Sequence, residues 1–379
     1  MEQRVDVREW VEFQWPYLMS FLGGSENVSK LAYETGAFVR PRKIDNAEDL
    51  LRLLLLRCAG ERSLQDTAAI AAESGLADVS DAALVKRFAK ATEWLGALVG
   101  EVLTERRASV AAGWRIRLVD ATTVSRAGSK GTDHRVHLSI NLSHNHIDAF
   151  ELTSAKGGET LDRFVVRPGE IMIADAGYAH REALARVARQ GGSFIVRFAW
   201  SNLPLETMEG EPFELMRALE GLPEAKAGDF PVTFRAPDGQ VIAARVVAIR
   251  KSEPAASAAR KRLLQERSKK GRKVDIRTLQ FASYIFVLTN LPADDLSAES
   301  VLELYRFRWQ IEMKFKTLKS LLHLDDVPVR TDAALKVYVL AKMLVALLID
   351  ALIERAESFS PWGYPIPAGQ RMAAHPTLA

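Results

Sequence analysis

The segment around residue 310 carries one carboxylate among basic side chains at helical spacing. At about 100° per residue, five side chains share a helix face roughly 80° wide: Tyr305, Arg308, Glu312, Lys316 and Lys319. One acid among three bases is unusual for a face that is merely solvated. Arginine offers a phosphate group a planar fork, and lysine offers it a point charge. The pattern predicts a carboxylate that binds a metal ion beside cations that hold phosphates.

Two aspartates elsewhere in the chain are placed to join Glu312 in one metal site. Asp120 lies in the first predicted strand and Asp175 directly follows the fourth, so the two could lie side by side across a sheet. Phosphodiester cleavage needs help at the attacking and the leaving oxygen, which two divalent ions about 3.5–4 Å apart can give. Mg²⁺ prefers oxygen ligands and keeps several waters. We therefore predict two Mg²⁺ ions held by Asp120, Asp175 and Glu312, with Mn²⁺ able to substitute.

The same helix carries a four-residue signature. Its spacing is Y-(2)-R-(3)-E-(6)-K, formed by Tyr305, Arg308, Glu312 and Lys319. This signature resembles that of the insertion-sequence-four family of DDE transposases, and the resemblance covers all of Leu304 to Lys319. In that family the tyrosine, arginine and lysine position phosphates. Lys316 is added as a DNA contact from its place on the helix face alone.

The two aspartates lie in motifs that resemble the same family. Val119 to Thr122 resembles the first-aspartate motif, and Asp175 to Tyr178 resembles the second, although Ala176 stands where many relatives have arginine. The resemblance implies an RNase H-like core with a β-rich insertion. It also implies a DNA transposase that cleaves transposon ends and joins the 3′ end to target DNA, as a homodimer in a synaptic complex. Because 60 residues follow Lys319, a large C-terminal synapsis domain is expected to be absent or reduced.

The elements that must position these residues divide the chain into five regions. We predict a helical DNA-binding domain over 1–110, and the first part of an α/β mixed-sheet core over 111–200. A β-rich insertion over 201–292 precedes the second core part, 293–357, and a loose tail, 358–379. The second core part should contain one long helix from Ser297 to Leu322 and another from Asp332 to Glu357.

The N-terminal region has the spacing of a helix-turn-helix motif. A predicted helix from Ser63 to Glu73 is followed by a turn, and then by a helix, running through Phe88 to Leu98, that bears Lys86, Arg87 and Lys90. These three basic residues are predicted to contact DNA. The alternative is an ordinary helical bundle with a solvated basic face.

Residues 250–277 form a strongly basic segment inside the insertion. It holds eleven basic and three acidic residues, a net charge of +8 that exceeds the +3 of the whole chain. One interpretation is a solvated, partly disordered loop. The other is a segment that follows the phosphates of DNA, and its candidate contacts are Lys269, Lys270, Arg272 and Lys273. Nearby Tyr284, on a predicted strand from Phe281 to Thr289, is a candidate for stacking on a displaced base and is otherwise a packed strand residue.

The composition and motifs of the chain exclude several other kinds of site and classes of protein. The chain has one cysteine, Cys58, so neither a disulfide framework nor a cysteine metal site can form. A zinc site among His134, His137, His144 and His146 is a minor alternative. Without a visible signal peptide, a membrane span or a P-loop, the sequence predicts a cytoplasmic protein that does not use ATP. Two other functions stay open, a non-transposing nuclease on the same fold and an inactive DNA-binding regulator.

Overall fold

A mixed β-sheet forms the centre of the protein. The computed structural model describes residues 15–108, 115–143, 145–269, 271 and 273–357. Within these residues the strands are β1 (Arg115–Arg126), β2 (His134–Asn141), β3 (His146–Ser154), β4 (Glu170–Ala174), β5 (Ser193–Arg197), β6 (Ala227–Arg235), β7 (Val241–Arg250), β8 (Tyr284–Thr289) and β9 (Asp326–Val327). The predicted fourth strand, Glu170 to Ala174, is confirmed to the residue.

The strand order is β3-β2-β1-β4-β5-β8-β7-β6, with the short β9 paired to the end of β1. Strands β1 to β3 form an antiparallel meander, and β4 and β5 then run parallel to β1. This half is an RNase H-like core, as the family resemblance implies. From β5 onward the sheet is antiparallel, so the insertion strands β6, β7 and β8 extend the core sheet.

Helices cover both faces of the sheet and build the N-terminal region. In the described part of the chain they are α1 (Gly24–Glu34), α2 (Ala47–Cys58), α3 (Leu64–Glu73), α4 (Asp81–Phe88), α5 (Thr92–Ala108), α6 (Arg181–Arg189), α7 (Leu215–Glu220), α8 (Glu253–Lys269), α9 (Ile276–Phe281), α10 (Ala298–Arg306), α11 (Trp309–Leu322) and α12 (Asp332–Glu357). Side chains cap several of them: Asn46 accepts a hydrogen bond at the start of α2, and Ser63 forms a capping box with Asp66 on α3.

Helix α12 joins the N-terminal helices to the core, since it packs on α2, α5 and β3. A buried cation strengthens this junction. Lys342 on α12 is fully buried, and its Nζ donates to Glu61 Oε1 (3.0 Å) and to the carbonyl oxygen of His323 (2.9 Å). A buried ammonium group is tolerated only with such partners. The junction therefore fixes the region after α2 against the region after α11.

A buried ion network sets the register of the core strands at the end opposite Asp175. Arg117 on β1 is 2% exposed and bonds Asp148 on β3 (3.0 Å) and Glu170 on β4 (3.0 Å). Arg115 contacts the second oxygen of Glu170 at 3.1 Å. Removing one partner of such a network leaves a buried charge uncompensated, so these residues hold the three strands in fixed register.

Three expectations about element boundaries are wrong. The long helix expected from Ser297 to Leu322 is broken at residues 307–308, because α10 packs on β5, β6 and β7 whereas α11 packs on β1 and α12. The helix expected to continue through Phe88 ends there, so Lys90 lies in the turn before α5. The strand expected from Phe281 begins at Tyr284, because Phe281 ends α9.

The loop interpretation of the basic segment is also wrong. Most of residues 250–277 is helical, in α8 and α9. Alanine, arginine, lysine, leucine and glutamine, which make up much of α8, are good helix formers, and its one buried residue, Ala256, leaves most of the helix in solvent. Lys270 and Arg272 lie outside the described residues, as do His144 and the predicted tail 358–379.

Candidate active site

Asp120 and Asp175 lie at the same level on adjacent parallel strands. In the register of β1 with β4, Leu118 pairs with Ile173, and each aspartate lies two residues beyond its member of that pair. Side chains two residues apart on a strand share a face, and Leu118 and Ile173 belong to the apolar cluster that also contains the buried side of α11. The strand pairing therefore directs both carboxylates toward the sheet face that α11 covers.

A tight turn fixes the Asp175 carboxylate. Strand β4 ends at Ala174, and residues Ala176–Tyr178 form a 3₁₀ turn for which Asp175 is the N-terminal cap. Its Oδ1 accepts a hydrogen bond of 2.8 Å from the backbone N–H of Gly177. This arrangement leaves the second carboxylate oxygen, Oδ2, available to a ligand.

Glu312 lies on α11, the helix that packs on β1. Ile311, Phe315 and Leu318 bury the inner side of this helix against the core, and its outer side carries Glu312, which is 47% exposed. Arg308, one turn earlier, donates a hydrogen bond of 2.5 Å from Nη2 to Glu312 Oε1. Arg308 also interacts electrostatically with Asp120, so the same guanidinium group acts on the helix acid and on the strand acid.

The pKa of Asp120 is raised mainly by burial and to a smaller extent by neighbouring acids. Burial raises it from 3.8 to about 6, the hydrogen bond from the N–H of Ala121 opposes the increase, and the charge of Asp175 adds to it. Arg308 lowers this pKa and Glu159 raises it further, each by a smaller amount. Carboxylates crowded in this way repel one another, and a bound cation would relieve the repulsion.

Of the other basic and aromatic residues predicted on this face, Tyr305 lies within electrostatic range of Asp175. Burial raises the pKa of Tyr305, which keeps its hydroxyl protonated, and the charges of Arg308, Arg197 and Asp175 all act on it. The Nζ atom of Lys319 lies 3.9 Å from Oδ2 of Asp325, and the side chain of Lys316 is exposed. Arg197, at the end of β5, is an exposed cation that the sequence analysis missed, because nothing in the local sequence sets it apart.

The donor set fits a divalent metal ion. Asp120 and Asp175 bring hard carboxylate oxygens together, and the buried hydroxyl of neighbouring Tyr178 has no hydrogen-bond partner within the described part of the chain. Among the described residues, no three acidic, histidine or cysteine side chains converge as a ligand set. Glu312 explains this in part, since its carboxylate is turned toward Arg308.

The predicted helix-turn-helix residues line a basic groove. Lys86 and Lys90 are exposed and Arg87 is half-buried, and all three face a groove between the end of α4 and the loop before α2. The loop adds three exposed cations that the sequence analysis missed: Arg40, Arg42 and Lys43. They were missed because their loop is remote in sequence from α4. The groove gathers six basic side chains on one surface of the N-terminal region.

Tyr284 and the basic segment belong to the insertion that extends the core sheet. Tyr284 begins β8 and is 7% exposed, packed in the same apolar cluster as Phe281 and Phe286. Lys269 and Lys273 are exposed near the end of α8. Trp200 nearby stacks on Phe281 at 5.6 Å and lies under the Arg277 guanidinium group at 4.2 Å.

Crossing a bilayer requires a helix that is both long and apolar. None of the helices in the described residues combines the two properties to the extent that a membrane span needs.

Comparisons with known proteins show the family of this chain. A family model described as a transposase DDE domain matches residues 112–348. InsL of insertion sequence element IS186A from Escherichia coli K12 is 37% identical over 354 residues, which are 92% of this chain and 96% of that protein. The transposase for insertion sequence element IS421 from Escherichia coli is 37% identical with the same coverage. A solved piggyBac transposase synaptic complex with hairpin DNA superimposes with a TM-score of 0.49 and 8% identity, covering 92% of this chain and 75% of that one.

Proposed function

We propose that this chain, which belongs to the DDE transposase family, cleaves DNA at transposon ends and joins the freed 3′ end to target DNA. The observation that carries the proposal is the position of Asp120 on β1 and of Asp175 directly after the adjacent parallel strand β4, on the sheet face covered by the helix that bears Glu312. Family membership implies a divalent metal, and Mg²⁺ is the ion we propose, with Mn²⁺ as a substitute.

Asp120, Asp175 and Glu312 would hold two Mg²⁺ ions. Bound there, the ions would polarise the scissile phosphate and stabilise charge on the attacking and leaving oxygens. Glu312 must then exchange its contact with Arg308 for a metal ion, which frees the guanidinium group for a phosphate oxygen. Tyr305 keeps its proton and can donate a hydrogen bond, and Lys316 and Lys319 add positive charge along the same helix.

The reaction would proceed in two chemically similar steps. Water attacks the phosphodiester bond at the transposon end, and the bond to the 3′ oxygen breaks to leave a 3′ hydroxyl. That hydroxyl then attacks a phosphodiester bond of the target, and the target strand leaves with a new 3′ hydroxyl. Each step exchanges one P–O bond for another, so no external energy source is needed.

DNA contacts outside the centre would come from two surfaces. The basic groove with Lys86, Arg87 and Lys90 would bind the transposon end. The segment with Lys269, Lys270, Arg272 and Lys273 would follow phosphates. We propose a homodimer in the synaptic complex and, since the substrate is DNA, action in the cytoplasm.

The testing experiment uses a labelled duplex that carries the inverted repeats flanking this coding sequence, with Mg²⁺ and a target plasmid. Joined products on a denaturing gel would support a transposase. Cleavage without joining would favour a nuclease, and end binding without cleavage would favour a regulator.

A further inference from the structure

A fourth carboxylate lies beside Asp175. Glu159 follows β3 and precedes the 3₁₀ turn Leu161–Arg163. A Cβ atom built on Gly177 would collide with Glu159 Oε2 and would lie 3.1 Å from Asp175 Oδ1. Both oxygens therefore border the same small space next to the Gly177 α-carbon. The two carboxylates are therefore neighbours across the Gly177 α-carbon, and their side chains would have to rotate for both to contact one cation, since no three acids converge among the described residues.

Arg135 holds Glu159 in this orientation. Its Nη1 donates a hydrogen bond of 2.9 Å to Glu159 Oε1, and both side chains are about 30% exposed. Because Arg135 occupies one carboxylate oxygen, the other oxygen, Oε2, is left facing the Asp175 turn. Arg135 lies on β2, opposite Thr123 of β1. The ion pair between Arg135 and Glu159 therefore anchors the loop before β4 to β2, the strand that pairs with the Asp120 strand.

A buried hydroxyl gives independent evidence of a ligand at this place. Tyr178 is fully buried, and its Oη has no hydrogen-bond partner among the residues that the structure describes. Burial raises the pKa of Tyr178, and the charges of Asp120, Glu159 and Asp175 raise it further. Because an unsatisfied buried hydroxyl is destabilising, its retention here points to a bound partner near these acids.

We propose that Glu159 binds a divalent cation together with Asp120 and Asp175, as a fourth acidic residue of the metal site, with Gly177 preserving the space in which its Oε2 lies. The inference rests on the proposed function. It accounts for the cluster of like charges, because a cation among the carboxylates would offset their mutual repulsion. It also gives glycine at position 177 a reason, since the Cβ of any larger residue would displace the Glu159 carboxylate.

The test measures Mn²⁺ binding to the full-length protein without DNA, by the electron paramagnetic resonance signal of free Mn²⁺. Glu159→Gln should weaken binding by about 10–100-fold. Glu206→Gln is the matched control, because Glu206 accepts from Arg235 at the same 2.9 Å and is similarly exposed, at 25% against 28% for Glu159. The control should bind Mn²⁺ like the parent.

Asp175→Asn distinguishes this inference from the proposed function. If Asp175→Asn loses Mn²⁺ and Glu159→Gln binds like the parent, Glu159 is not a ligand and the three-acid site stands. If neither variant loses Mn²⁺, the metal site itself is wrong. Should Glu159→Gln fail to fold, Gly177→Ala carries the test, since it keeps every carboxylate and fills the space of Oε2. Unchanged affinity in folded Gly177→Ala would overturn the inference.

Discussion

Arg308 donates a hydrogen bond to Glu312 across one turn of α11, and its charge also acts on Asp120. The guanidinium group therefore occupies the position from which it can hold either a catalytic acid or a phosphate. An exposed i,i+4 pair of this kind contributes only about 0.3–0.5 kcal/mol to stability. A larger effect of Arg308 should accordingly appear in catalysis rather than in folding.

Arg308→Gln should reduce the cleavage rate by about 100-fold, the usual effect of removing one donor to transition-state charge. Its free energy of unfolding should change by less than about 1 kcal/mol. Single-turnover cleavage and urea denaturation measure the two quantities. Lys336→Gln is the control, since it breaks the i,i+4 pair with Asp332 away from the site and should leave cleavage unchanged. Equal cleavage by Arg308→Gln and the control would remove Arg308 from the chemistry.

Neutralising the basic segment should change how DNA binding depends on salt. If Lys269, Lys270, Arg272 and Lys273 bind phosphates, changing all four to glutamine should make the logarithmic salt slope shallower by about 0.9 for each phosphate that is no longer neutralised. Binding isotherms at several salt concentrations give the slope. An unchanged slope would mean that these four side chains are solvated and do not bind phosphates. By contrast, single changes at Lys86, Arg87 or Lys90 should weaken binding to transposon ends, and any change in sequence preference would identify a base contact.

His137 should make stability depend on pH. It is fully buried on β2, 2.9 Å from Thr153 Oγ1, and burial, with help from Arg163 and Arg135, lowers its pKa from 6.5 to about 4. In the unfolded chain His137 thus takes up a proton near pH 6.5, whereas in the folded chain it is protonated only near pH 4. The contribution of neutral His137 to the free energy of unfolding is fully present above pH 6.5. It decreases by up to about 3 kcal/mol as the pH drops to 4.

Denaturation of metal-free protein between pH 4 and 7 measures this decrease. His137→Gln does not titrate, so its free energy of unfolding should fall less steeply across the same range. Parallel pH dependence in the parent and the variant would show that His137 is not the responsible group.

Tyr284 remains a prediction as a base-stacking residue. Double-strand cleavage through a DNA hairpin requires a displaced base, and an aromatic platform contributes about 1–3 kcal/mol per stacked base. Since Tyr284 is 7% exposed, its ring would have to leave the core to stack. Hairpins should appear as slow-migrating species on a denaturing gel, and Tyr284→Ala should form them more slowly. If a folded Tyr284→Ala forms hairpins as fast as the parent, Tyr284 has no such role.

The features predicted most accurately from the sequence are those that the local pattern of side chains determines. Strand β4 and the face shared by Arg308 and Glu312 follow from the periodicity of side chains. The break at residues 307–308 could not be predicted in this way, because it arises where α10 and α11 pack on different strands. The high net charge of the segment that contains α8 favoured the loop interpretation, although the residues of α8 are good helix formers.

Glu159 shows a second limit of sequence reasoning. No motif surrounds it in the sequence. Only the fold brings it to Gly177 and Arg135, which are distant in sequence. Arg40, Arg42 and Lys43 were missed for the same reason, because their loop meets α4 only in three dimensions.

The most direct measurement of the central claim is single-turnover cleavage of a labelled transposon end in Mg²⁺ by Asp120→Asn, Asp175→Asn and Glu312→Gln. Each variant should lose cleavage to background and still bind the end in a gel-shift assay, because none of the three acids lines the N-terminal groove. Glu34→Gln is the control, an exposed helix acid in an i,i+4 pair with Lys30, and should cleave like the parent. Parental cleavage by any of the three variants would contradict the assignment of that acid.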